Sequence, residues 1–116
     1  MQRHLRLRRQ EDFASLRAHG QVWRHRLLIL SVLPNGLPHN RYGFVTSKQL
    51  GHAVVRNRVR RLLREAVRGA DPYLLPGHDM VFVARRTIAS QPFAVVDEAV
   101  TSSLQRSGLW IEGQTS

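Results

Sequence analysis

The sequence predicts an α+β domain, a small sheet of about four strands with three helices, in the order α-β-β-β-α-β-α. Three observations carry that expectation. Val55, Val59, Leu62, Leu63, Ala66 and Val67 recur at three- and four-residue spacing, which fills one side of a 100°-per-residue wheel and marks a long helix from about His52. Two apolar runs, Leu27 to Leu33 and Met80 to Ala84, have strand length and read as strands, the first with cover on both faces or a helix packed on one. Phe93, Val96, Val100 and Leu104 repeat the helical spacing near the C-terminal end. A chain of 116 residues supports one modest core. The domain is expected over 10–106, preceded by a basic arm at 1–9 and followed by a flexible tail at 107–116.

Taken in order, Arg3 to Arg9 is a run of basic residues expected to order only on a partner, adding phosphate contacts without base selectivity. Gln10, Glu11 and Asp12 suit a helix start, and Gly20 ends that helix near His19. Val22-Trp23 and then Leu27 to Leu33 read as strand, and Pro34-Asn35-Gly36-Leu37-Pro38 as a turn. Arg41 to Thr46 is the returning strand, expected to pair antiparallel with the one before. Gly43 within it permits a bulge or a close backbone approach. Gly69 offers a stop for the long helix, Pro72, Pro76 and Gly77 punctuate a loop, and Asp79 to Arg85 forms the next strand. Ser90-Gln91-Pro92 opens the last helix.

Charge singles out the long helix. The chain carries 18 basic and 8 acidic residues, a net +10, and every base except Lys48 is arginine. Residues 1–68 hold fifteen bases against three acids (+12), and residues 69–116 hold three against five (−2). Opposite the apolar stripe, Arg60, Arg61, Arg64 and Arg68 cluster, with Arg56 and Arg58 on the flanks and Glu65 the one acid. Like charges one turn apart repel, so such a face is expected to meet a polyanion, and the arginine fork suits phosphate. The plainer alternative is a generic basic surface. A charge of this size points to nucleic acid or an anionic membrane. No apolar run approaches the length of a membrane span and no signal peptide is recognised, so a cytoplasmic location without a membrane partner is expected. The chain has no cysteine, hence no disulfide, thiolate metal site or cysteine nucleophile.

The string Thr46-Ser47-Lys48-Gln49-Leu50-Gly51-His52-Ala53-Val54-Val55-Arg56-Asn57-Arg58-Val59-Arg60-Arg61-Leu62-Leu63-Arg64-Glu65 closely resembles the signature of the bacterial ribonuclease P protein family. The Arg-Asn-Arg core alone would be weak, but the preceding Ser-Lys and Leu-Gly-x-Ala-Val stand in step with it. The resemblance implies a left-handed βαβ crossover through the arginine helix, and a role as accessory subunit of an endoribonuclease that removes 5′ leaders from precursor tRNA. It further implies two RNA partners, ribonuclease P RNA and precursor tRNA, with hydrolysis by the RNA subunit and Mg2+ bound mainly by RNA. No protein partner is required by the sequence.

By the same resemblance, Arg56, Asn57, Arg58, Arg60, Arg61 and Arg64 face the catalytic RNA and the leader; helical spacing adds Arg68 to that face as a further RNA-binding candidate. Asn57 either fixes the start of the helix or touches a sugar. Ser47 and Lys48 are phosphate ligands or loop caps. The family's cleft between first helix and sheet implies Phe13 as a base-stacking residue, a core phenylalanine being the alternative. Arg17 stands where a second phenylalanine is usual and Ser31 where a strand aromatic is often found. Tyr42 and Phe44 share one strand face and are candidates to compensate.

Glu11, Asp12, Glu65, Asp71, Asp79, Asp97, Glu98 and Glu112 show no metal-ligand spacing, and the six histidines are scattered. No Gly-x-Ser-x-Gly motif or phosphate-binding glycine loop is present. The expectation is a binding subunit without catalytic residues of its own. The alternative is a non-catalytic ribosomal or RNA-chaperone-like protein that binds structured RNA through the same helix. A major-groove DNA reader is a third, disfavoured because base readout wants a more mixed face than near-pure arginine.

Overall fold

The computed structural model describes residues 6, 7 and 10–111. Seven elements follow in chain order: α1 (Gln10–His19), β1 (Gln21–Arg24), β2 (Leu28–Pro34), β3 (Arg41–Val45), α2 (Ala53–Ala70), β4 (His78–Ala84) and α3 (Phe93–Arg106). Short 3-10 turns at Lys48–Leu50, Asp71–Tyr73 and Arg86–Ile88 flank α2 and follow β4. The four strands form one sheet in the order β1-β2-β4-β3.

The expected antiparallel pairing of β3 with β2 does not occur. β4 lies between them, antiparallel to β2 and parallel to β3, with Phe82 opposite both Leu30 and Phe44. The reason is burial. Asp79, Met80, Val81, Phe82 and Ala84 are all buried, so β4 needs cover on both faces and takes a central place, leaving the shorter β3 at the edge. Arg41 fixes the register: its Nε and Nη2 donate to the two carboxylate oxygens of Asp79, at 2.9 and 2.7 Å, across the β3–β4 pair. That bond and the adjacent charge raise the Arg41 pKa further above its ordinary value. Asn35 Nδ2 joins the same carboxylate at 2.8 Å, anchoring the loop between β2 and β3.

α2 and α3 cover one face of the sheet. Leu28, Leu30, Val32, Met80 and Phe82 meet Val59, Leu63, Ala66, Val67, Val96, Val100 and Leu104 in the main core. The other face is thinly covered: Leu7, Leu16 and Val81 are buried there, with Phe13, Leu33 and Val83 partly so. Phe93, expected in the α3 stripe, is 43% exposed at the first helical position, and Ala99 completes the stripe instead.

Both ends of the domain extend further than expected. Arg6 bridges Tyr42 in parallel, and Leu7, whose N–H donates to Tyr42 O at 2.8 Å, is buried. At the other end Leu109 is buried and Trp110 bridges Leu74, so 109–111 pack on the turn after α2 rather than trailing free. Apolar side chains in each segment find a groove, which outweighs the entropy of release. The rest of the expected arm (1–5, 8 and 9) and tail (112–116) lies outside the described residues. Gly69 does not stop α2. It lacks the positive φ of a glycine cap, and the helix runs to Ala70 and tightens into the turn holding Pro72, which has no N–H to continue the ladder.

Candidate nucleic-acid interface

The segment entering α2 is built for a sharp change of direction. Lys48–Leu50 makes a 3-10 turn, Gly51 adopts φ 135° and ψ −159°, a conformation open to glycine, and α2 then begins at Ala53. Ser47 and Lys48 are exposed at this corner, and the Ser47 side chain makes no capping bond.

Along α2 the arginines divide into three groups. Arg56, Arg60 and Arg64 stand at i, i+4 and i+8 on the flank toward β3. Arg60 donates through Nε and Nη2 to Thr46 Oγ1 at 3.2 and 2.7 Å, and through Nη1 to Asn57 Oδ1 at 3.0 Å. Asn57 therefore sets the Arg60 fork and does not cap the helix, whose N-cap is His52. Arg56 Nε is buried and meets no acceptor among the described residues, an orphan donor on this flank. Arg64 lines a recess of about 160 Å³ with Arg6, Phe13, Gly43, Phe44 and Arg60. Burial, then the charges of Arg6 and Arg60, hold its pKa below the ordinary arginine value, with Glu65 opposing. Three guanidinium groups thus repel at one edge of the sheet, an arrangement that a phosphate relieves.

The second group faces solvent: Arg61 is exposed, and Arg68 pairs with Glu65 at 2.8 Å, which holds the Glu65 carboxyl below its usual range. Arg58 is the third case, a side chain engaged with the fold itself. Its Nη1 and Nη2 donate to Ala89 O and Gln91 O at 3.2 and 2.8 Å, so it ties α2 to the segment ahead of α3.

Three of the five cleft candidates come together. Phe13 and Arg17 on α1 and Ser31 on β2 line a groove of about 190 Å³ floored by Val81 and Val83 and flanked by Val45. Gly43 permits the close approach: a Cβ there would lie 2.9 Å from the Phe13 ring. Tyr42 and Phe44 pack their rings with the main core on the opposite face, although both also border the arginine-lined recess at the sheet edge. Tyr42 is 1% exposed and its hydroxyl donates to the Asp71 carboxylate, while Phe44 stacks on Phe82 with centroids 5.9 Å apart. Phe13 lines both the groove and the arginine-lined recess, so the two lie side by side at this ring. Arg6 and Thr46 are contributors that sequence reasoning missed: Arg6 was one of several arm arginines, and Thr46 signals its role only by preceding Ser47. Among the described residues no group of three or more His, Asp or Glu is placed to hold a metal ion, and no helix is long and apolar enough to cross a membrane.

Comparison with known proteins gives the same answer from sequence and from fold. The family model for Ribonuclease P matches residues 1–108. The ribonuclease P protein component of Roseiflexus sp. (strain RS-1) is 44% identical over 110 residues, covering 94% of this chain and 90% of that protein. The solved RNase P protein from Thermotoga maritima superposes with a TM-score of 0.81 at 27% identity, covering 87% of this chain and 96% of its own. The Staphylococcus aureus RNase P protein, at 22% identity, shares the fold with a TM-score of 0.85 over 91% of this chain and 97% of its own.

Proposed function

The chain belongs to the ribonuclease P protein family, as a protein subunit of an RNA-processing enzyme, and we propose that it holds the 5′ leader of precursor tRNA against the catalytic RNA. The adjacency of the α1 groove and the arginine-lined recess, which share Phe13, is the observation that carries this reading. Single-stranded leader lies in the groove, where Phe13 stacks on a base and the Arg17 guanidinium plane substitutes for an aromatic ring. Ser31 contributes room rather than stacking. At the Phe13 end the strand passes to Arg60 and Arg64, whose fixed spacing follows phosphates and offsets repulsion between two RNAs brought close together. Arg56, Arg61 and Arg68 extend that surface, and Ser47 and Lys48 present a hydroxyl and an ammonium to the backbone at the turn.

In this proposal the bond is hydrolysed by the RNA subunit with Mg2+ held mainly by RNA and substrate. The chain supplies affinity and charge neutralisation in the cytoplasm and no catalytic residue. The test is cleavage of a 5′-extended precursor tRNA by bacterial ribonuclease P RNA at low magnesium, with and without the chain. Cleavage at the mature 5′ end restored by the chain, which does nothing alone, is the expected result. RNA binding with an unchanged rate would instead support the chaperone or ribosomal reading.

A further inference from the structure

We infer that a second phosphate-binding surface, for the backbone of a folded RNA, is built at the corner of the molecule where the β1–β2 turn, the end of β4 and the end of α3 meet. It rests on the reading of the chain as an RNA-binding subunit and adds a contact that the arginine helix does not make.

Residues 69–116 are net acidic, yet their three bases, Arg85, Arg86 and Arg106, all gather at this corner beside Arg24, His25 and Arg26. Backbone carbonyls hold them together. Arg106 Nη1 donates to Arg24 O at 2.8 Å, Arg85 Nη1 to His25 O at 3.3 Å, and Thr87 Oγ1 to Arg26 O at 2.6 Å. The Arg85 and Arg106 bonds each use one of a guanidinium's five N–H groups and leave the others for a ligand.

The charge here is poorly neutralised. His25 accepts the Leu27 N–H on Nδ1 at 3.0 Å, and its pKa lies below the ordinary histidine value, first through burial and then through Arg26 and Arg106. Glu98 opposes these effects. Beside the cluster lies an open groove of about 370 Å³ with an apolar part, Leu50, Val83 and Ala84, and a polar part, Ser47, Gln49, Arg85, Arg86 and Thr87. This mixture of hydroxyl, amide and guanidinium donors is what a sugar-phosphate backbone accepts. Ser47 places the groove against the turn that precedes α2, so the corner continues the basic surface around the end of the parallel strand pair.

The test uses the intact chain carrying Arg26→Gln and Arg86→Gln, two exposed side chains that make no hydrogen bond to a described residue. Binding to ribonuclease P RNA is measured across a salt series, and binding of precursor tRNA to the assembled RNA–protein complex is measured in parallel. The expected result is a dissociation constant raised about tenfold, with a salt slope lower by about two. A change in the first assay assigns the backbone to the catalytic RNA, and a change confined to the second assigns it to precursor tRNA. An Arg61→Gln/Arg64→Gln variant reports on α2 alone. If that variant weakens binding while the corner variant matches wild type in both assays, the second surface is overturned and the proposed function stands. If neither variant differs from wild type, both fail together.

Discussion

The two faces of the sheet have the same strands and opposite fates. On one, α2 and α3 seal a core in which Val59, Leu63, Phe82, Val96, Val100 and Leu104 reach 0% exposure. On the other, the ten-residue α1 covers so little that Phe13, Leu33 and Val83 stay partly open around a groove. A fold of this size needs one sealed face for stability and can leave the second to binding. The contrast is sharpest within α2, whose apolar stripe closes the first face while its β3-side arginines rim the edge of the second.

Breaking the sealed face should have the largest effect. Leu63→Ala removes a fully buried side chain at the centre of the α2–sheet contact and is expected to cost about 2–5 kcal/mol of unfolding free energy in urea titration. Arg58→Ala comes next, at about 1.5–3 kcal/mol of stability, since it frees two backbone carbonyls from a charged donor. Its salt slope for RNA binding should stay near that of wild type. Should Arg58→Ala instead lower the slope by about one at unchanged stability, the division of α2 arginines drawn from the structure is wrong.

Phe13→Ala tests the open face. It is expected to weaken binding of leadered precursor tRNA by about 1–2 kcal/mol, the lower part of the range for base stacking, because the ring also rests on Gly43. Affinity for leaderless tRNA should not change. Equal losses for both substrates would return Phe13 to the role of a core residue.

How far the sequence discloses each face follows from the kind of signal involved. The arginine helix is legible because same-sign charge at one-turn spacing contradicts ordinary surface design, and its residue pattern carries the family resemblance. The groove is legible in part: Phe13, Arg17 and Ser31 line one groove, but the face occupied by Tyr42 and Phe44 depends on strand order. Strand order was hidden because β4 comes last in the chain and still takes the central slot, a choice made by burial across the whole sheet. Arg58 was hidden for a related reason. Its partners are main-chain carbonyls at Ala89 and Gln91, which leave no trace in side-chain composition. Arg85 and Arg86 lie in a net acidic segment, and only the fold brings Arg24, Arg26 and Arg106 beside them.

Tyr42 offers the smallest effect at neutral pH and a directional one above it. The ring is sealed in the α2–α3 face although its strand forms the sheet edge, and burial, followed by the bond to Asp71, pushes the phenol pKa well above the ordinary tyrosine value, with Asn40 opposing. The folded chain thus keeps this proton at a pH where the unfolded chain has lost it. The resulting stability is complete below about pH 10 and declines as pH climbs above that toward the folded value. Tyr42→Phe is expected to cost about 1 kcal/mol at neutral pH, since Asp71 remains partly open to water, and to flatten the alkaline decline. Urea unfolding of both proteins across an alkaline series measures the difference in slope. Parallel declines would mean that Tyr42 titrates alike folded and unfolded, and that this end of the sealed face admits water as the groove side does.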